Sequence, residues 1–163
     1  MEVLRAEEEW QRAGAYSVRI QGMNRQHHIS LREEFDEHDC DGTRYIVLLD
    51  DGYPIGTCRF YEAGTNKSGA KACGCVSSSY QISDEDAVIL GRVVVLPEYR
   101  GKKLGAKVVL EAEKWIKELG YKQIIIDSRT EVVGFYEKLG YKLVDGNVKQ
   151  NSVFECVCMK KCL

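Results

Sequence analysis

Long apolar runs, an excess of charge of either sign and a paired cysteine framework are all missing from this 163-residue sequence. No stretch approaches the roughly 20 apolar residues that span a bilayer. The N-terminus, Met1-Glu2-Val3-Leu4-Arg5-Ala6-Glu7-Glu8-Glu9-Trp10, is acidic where a secretory leader is basic and then apolar. A cytoplasmic chain with no membrane partner is expected. Lysine and arginine number 23 against 25 acidic residues, a formal net charge of −2, so nothing draws the chain to a phosphate backbone and no nucleic-acid partner is expected. The seven cysteines are odd in number and scattered, which reads as reduced thiols rather than a secreted scaffold. Two C-x-C pairs, Cys73-Gly74-Cys75 and Cys156-Val157-Cys158, lack the wider spacing of structural zinc sites, so no metal is expected. Strand alternation instead puts Cys156 and Cys158 on one buried face.

What is present fits one α/β domain over residues 1–163, with 44% hydrophobic residues to build its core. A short strand is expected over Met1–Leu4, a weakly amphipathic helix over Ala6–Met23, and a polar loop with one helical turn over His27–Asp41. Arg44–Leu49 and Ile55–Tyr61 are β-rich runs around an Asp-Gly pair, a hairpin signal. Ala63–Ser79 reads as a long loop, and Ala87–Leu96 as a buried central strand. Leu104, Val108, Ala112, Trp115 and Leu119 recur at helical spacing, with Gly120 as the stop. Lys122–Asp127 is the next buried strand. Ser128-Arg129-Thr130-Glu131 has capping-box spacing and should open a helix carrying Val132, Phe135, Tyr136 and Leu139, closed by Gly140. Tyr141–Val144 and Val153–Met159 complete the strands.

The chemistry concentrates where the central strand Val93-Val94-Val95-Leu96 gives way to Pro97-Glu98-Tyr99-Arg100-Gly101-Lys102-Lys103 and then to the helix at Leu104-Gly105-Ala106. The first amides of a helix lack intrahelical acceptors, and the helix dipole adds about half a positive charge, so a diphosphate is a natural occupant. Arg100, Lys102 and Lys103 add cationic side chains. The segment has neither G-x-x-x-x-G-K-[ST] nor G-x-G-x-x-G, which argues against a P-loop NTPase and a dinucleotide-dependent dehydrogenase.

Arg100-x-x-Lys103-x-Gly105 resembles the Q/R-x-x-G-x-G/A acyl-CoA motif of the GNAT superfamily of N-acetyltransferases, with Lys103 in place of the first glycine. Gly134-Phe135-Tyr136-Glu137-Lys138-Leu139-Gly140-Tyr141 resembles the family's F-Y-x-K-x-G-[FY] segment. The likeness covers about Arg44 to Lys160. Within the family, Leu90–Arg100 together with Phe35-Asp36-Glu37-His38-Asp39 is similar to the small bacterial YjcF/ElaA-like group. The resemblance implies a GNAT acyl-CoA N-acyltransferase fold, a mixed sheet flanked by helices, with acetyl-CoA as co-substrate and a small-molecule amine as acceptor. A homodimer is left open.

The resemblance further implies that pantetheine lies along Val93 and Val95, and that the amide of Val94 or a neighbour polarises the thioester. Phosphates would sit on Arg100, Gly101, Lys102, Lys103, Leu104, Gly105 and Ala106, and Arg129, Phe135 and Tyr136 would complete the CoA site. Tyr136 would return a proton to the leaving thiolate. Many family members have a glutamate near the position of Gly91. Without it, deprotonation of the amine is assigned to Glu33 or Glu34 through water, with Asp84, Glu85 and Asp86 as further choices. His27, His28 and His38 rank below these as lone histidines of a polar segment. The acidic run Glu33–Asp39 lines an acceptor pocket or is a solvated face, the second being favoured. A non-catalytic acyl-CoA-binding module and a protein-lysine acetyltransferase that uses the Ala63–Ser79 loop stay open as alternatives.

Overall fold

The computed structural model describes residues 1–63 and 86–163. Expectations that fall on Cys73, Cys75, Asp84, Glu85 and the loop from residue 64 to 79 lie outside those residues.

The elements run β1 (Glu2–Arg5), α1 (Glu9–Arg19) continuing as a π-helical stretch (Ile20–Arg25), α2 (Leu31–Glu34), β2 (Arg44–Asp50), β3 (Tyr53–Glu62) and β4 (Ala87–Val95). A 3-10 turn (Pro97–Tyr99) leads to α3 (Leu104–Glu118), β5 (Gln123–Arg129), a second 3-10 turn (Thr130–Val132), α4 (Val133–Glu137), β6 (Lys142–Leu143), β7 (Lys149–Asn151) and β8 (Phe154–Cys162). The strands form one sheet in the order β1-β2-β3-β4-β5-β8-β6, with β7 paired to β8. Every pairing is antiparallel except that of β4 with β5.

Local chemistry accounts for most boundaries. Asp50 pairs with Tyr53, and the two residues between them, Asp51 and Gly52, both have positive φ (48° and 79°). That is the primed two-residue turn that the Asp-Gly signal demands. Helix α1 starts later than expected because the Gln11 carboxamide oxygen accepts the amides of Glu7 and Glu8 at 2.7 and 2.8 Å and fixes the entry at Glu8. The chain then passes Gly22, where a Cβ would come within 2.4 Å of Val94 Cγ1, so glycine lets this helix rest on β4. Helix α3 packs Leu104, Val108, Val109, Ala112 and Ile116 against Leu90, Ile124 and Ile126 of the sheet. Leu119 is 41% exposed, so the expected stripe ends one turn early.

The capping box at Ser128 does not form. β5 continues two residues further, pairing Ser128 with Val157 and Arg129 with Cys156, and the Ser128 hydroxyl donates to the Arg129 carbonyl. Sheet pairing outweighs one local cap, and α4 begins only at Val133. Cys156 and Cys158 are both buried on β8, as alternation requires. Among the described residues no helix is long and apolar enough to cross a membrane.

The decisive feature is the end of β4. Its parallel ladder with β5 holds only for Ala87↔Gln123, Val88↔Ile124 and Ile89↔Ile125, although both strands run on. On the other edge, Thr57 faces Val94 while Arg59 faces Gly91, so β4 spends three steps where β3 spends two. Arg92 lies at this bulge with φ 52°. A bulge bends and twists its strand, and here β4 turns away from β5, opening a V between them.

Candidate acyl-CoA cleft

The V is continuous with a cleft of about 510 Å³. One wall is β4 (Gly91 to Val95), another is the end of β5 with α4 (Asp127, Arg129, Val132, Phe135, Tyr136). A third is the segment after α1 (Met23, His27, Ile29, Glu33, Glu34), and the fourth is the β7–β8 hairpin (Asn151, Ser152, Phe154, Cys156). Arg100 and Gly105 close the end nearest α3.

At that end the chain turns twice through the left-handed region, at Gly101 (φ 77°) and Lys103 (φ 59°), before entering α3. No side chain caps this helix. Its first amides, at Leu104, Gly105 and Ala106, therefore retain their capacity to bind an anion. The left-handed geometry explains why a glycine is the ordinary occupant of the motif position that Lys103 fills. Such a φ costs an L-residue about 1–2 kcal/mol, and glycine gives back roughly 0.5–1 kcal/mol through unfolded-state freedom. Lys103→Gly should thus raise stability by a net ~0.5–1 kcal/mol, measured as a higher urea midpoint.

Gly105 faces the cleft at close quarters: a Cβ would touch Phe135 Cζ at 3.5 Å and Val95 Cγ2 at 3.9 Å. The Arg100 guanidinium donates to the Val95 carbonyl (2.9 Å) and to the Gln26 side chain (2.7 Å), tying the loop to both β4 and the end of the first helix. Lys102 lies over the Tyr99 ring, 5.4 Å from its centroid. Gly101, Lys102, Lys103, Leu104 and Ala106 are not among the residues that line the cleft.

Along β4, Leu96 donates its amide to Ile55 of β3. The two-residue repeat of a strand aims the Val94 amide the same way, and the Val94 side chain packs with Val18 and Leu96. The Val94 amide is thereby directed to β3 although Val94 lines the cleft, and its neighbours Val93 and Val95 present their amides to the gap. Across the gap Tyr136 is buried, edge-to-face with Phe135 (4.9 Å) and Tyr141 (5.6 Å). Burial pushes its phenol well above its ordinary value, so it stays protonated at neutral pH.

The carboxylates expected to serve as base are brought to the cleft, but in other employment. Glu34 is 2% exposed; its carboxylate accepts from Arg19 Nε at 2.7 Å and pairs with Arg92 Nε at 3.2 Å. Glu33 lies at the rim, accepting from the Ser30 amide (2.9 Å) and hydroxyl (2.7 Å) and from Ser152 Oγ (3.3 Å). The Ser30 hydroxyl and amide hold its carboxyl below the usual range, which makes it a weak base. Asp86 is at the far end of β4, exposed and paired with Lys122 at 2.5 Å. His38 is stacked on Tyr61 outside the cleft, and His28 does not line it.

The acidic run divides: Glu33 and Glu34 line the cleft, Glu37 is exposed, and Asp36 and Asp39 are held in an ion-pair network. Asp36 and Asp39 are bridged by Arg59 (2.8 and 2.5 Å), Asp39 also by Arg19 (2.6 Å), and Asp36 by Arg92 (3.2 Å). Arg19 and Arg59 are 0% and 3% exposed, and Tyr45 donates its hydroxyl to Asp39 at 2.7 Å. This network fixes the segment after α1 to the β4 bulge, and so shapes one wall of the cleft.

His27, Asp127 and the β7–β8 hairpin were not selected as leading site residues by sequence reasoning. His27 comes from a polar segment with no sustained period, Asp127 and Phe154 from strands read only as part of the sheet, and only the fold brings them together.

Residues 5–141 match the family described as "Acetyltransferase (GNAT) family". The chain belongs to that family, whose members use acyl-CoA. It is 29% identical to the Bacillus subtilis protein YyaT over 118 residues, 71% of this chain and 66% of that protein, just under two thirds of the relative's length. Among solved structures, a candidate N-acetyltransferase from Lactobacillus plantarum superposes with a TM-score of 0.79 at 25% identity, covering 99% of this chain and 97% of that one. Escherichia coli ElaA gives 0.73 at 16% identity with 98% of each chain covered. An aminoglycoside 6'-N-acetyltransferase complexed with coenzyme A gives 0.69 at 16%, covering 99% and 97%. The mixed sheet with flanking helices is the GNAT acyl-CoA N-acyltransferase fold.

Proposed function

We propose that the chain is an N-acetyltransferase that moves the acetyl group of acetyl-CoA to a primary amine of a small molecule, by direct attack within a ternary complex. The observation that carries this reading is the coincidence, in one cleft, of a splayed β4–β5 pair and an uncapped N-terminus of α3. A flexible arm can add to β4 as a strand would, while a diphosphate accepts the α3 amides. Arg100 and Gly105 then hold the cofactor end, and the thioester falls near the bulge at Gly91–Val93. There the Val93 amide donates to the carbonyl oxygen, where negative charge grows as the amine attacks. Two reactants held in one cleft supply most of the catalysis by proximity, with no covalent intermediate.

Tyr136 keeps its proton at neutral pH and faces the departing sulfur. Tyr136→Phe should lower kcat about ten- to a hundredfold and leave the dissociation constant of acetyl-CoA within about twofold, read by thiol release and calorimetry. The reading itself is tested by thiol release from acetyl-CoA over a panel of benzylamine, spermidine, glucosamine and Nα-acetyl-lysine. Acceleration by an amine supports it. Binding of acetyl-CoA with no amine-dependent release would assign the cleft to a non-catalytic acyl-CoA-binding module.

A further inference from the structure

We infer that His27 is the group that takes the proton from the acceptor's ammonium. This rests on the acetyl-transfer reading above and names a residue for a step that Glu33 and Glu34 are poorly built to perform.

Three observations support it. His27 lies two residues beyond the π-helical stretch and lines the same cleft as Tyr136 and the β4 bulge. The ring is half-buried and set edge-to-face against Phe154, 5.0 Å between centroids, so it has a defined seat rather than a solvated one. Among the described residues it makes no hydrogen bond, which leaves its ring nitrogens available to a substrate; Glu33 and Glu34 are already engaged by serines and guanidiniums.

The surroundings favour the neutral imidazole that a base requires. Burial, then Arg129 at the end of β5 and Arg100 of the phosphate loop, lower its pKa from the usual 6.5; Glu131 on the 3-10 turn opposes them and His28 adds to them. The seat is also coupled to the cofactor end, because the adjacent Gln26 receives the Arg100 guanidinium at 2.7 Å.

The step balances as follows. The acceptor ammonium gives one proton to His27, and the amine nitrogen attacks the thioester carbon. As the C–S bond breaks, Tyr136 gives its proton to the sulfur and the second nitrogen proton passes through water to restore the Tyr136 hydroxyl. His27 releases its proton to water, so one ammonium and one thioester yield an amide, a thiol and a proton.

The experiment compares wild type, His27→Ala, His27→Gln and Asp127→Asn, using the best amine of the panel above. Urea midpoint and acetyl-CoA calorimetry are recorded alongside kcat/KM from pH 5.5 to 9.5. For wild type the profile should rise through the His27 pKa, below 6.5, and stay flat up to the pKa of the amine. In both His27 variants kcat/KM at pH 7 should fall about a hundredfold, and the plateau should become a continuous rise as solvent alone supplies neutral amine. Acetyl-CoA affinity and urea midpoint should stay unchanged, and added imidazole should restore His27→Ala at least fivefold. An unchanged profile in the His27 variants overturns the inference. So does a loss that imidazole cannot restore, or loss of the plateau in Asp127→Asn with His27→Gln unaffected. Failure of wild type to bind acetyl-CoA or to release thiol would instead strike the acetyl-transfer reading.

Discussion

Gly105→Trp should weaken acetyl-CoA binding by about a hundredfold or more, close to 2.7 kcal/mol of binding energy, while Gly105→Ala stays within about threefold of wild type. The contrast comes from the space around this residue. A methyl group would make ordinary contact with Phe135 and Val95, whereas an indole at the same place must occupy the cleft between β4 and α4. Because Gly105 also sits in the first turn of α3, the same indole blocks the approach to amides that no side chain caps. Calorimetry separates the two variants, and an unchanged urea midpoint for Gly105→Ala verifies that the helix start is intact.

Arg19→Ala should destabilise the fold by about 3–5 kcal/mol, since it strands buried carboxylates without their partner. Arg19 has no exposed surface; burial works against its charge, but the hydrogen bond to Asp39 and the charges of Glu34 and Asp39 more than compensate and raise its pKa. Asp39 shows the reciprocal effect. Burial alone would raise it, yet the bond from Arg19 and the charges of Arg59 and Arg19 hold it far below its ordinary 3.8. A carboxylate depressed in the folded state contributes stability that is complete above its unfolded pKa and is lost as pH falls toward the folded one. Wild-type urea midpoints should therefore drop as pH is lowered from 5 through 3, and Arg19→Ala, already without the pairing, should show a shallower drop from a lower start.

That network also marks where sequence reasoning reached its limit. Glu33–Asp39 read as a polar, acidic, solvated run because nothing local announces that Arg19 on α1 and Arg59 on β3 will be buried against it. Charge pairing across 20 residues or more is a property of the fold. The bulge at Arg92 is silent for the same reason: Gly91-Arg92-Val93 continues an apolar strand pattern, and only the pairing with β3 shows the extra residue. His27 gains its seat from Phe154, 127 positions away at the start of β8. What was legible was local and periodic. The Asp51-Gly52 turn, the α3 stripe, the buried β4 and β5 and the glycine-containing entry to α3 each follow from neighbours within a few residues. Even there, Ser128 warns that a good local signal yields when a strand can extend its pairing.

Binding of acetyl-CoA in the cleft is measured by titration calorimetry on the unaltered chain, with desulfo-CoA and ATP as controls. One saturable site for acetyl-CoA is expected, retained for desulfo-CoA, which keeps the diphosphate and an arm lacking only the sulfur, and about tenfold or more weaker for ATP, which has no arm to lay along β4. Absence of acetyl-CoA binding, or equal affinity for ATP, would contradict it.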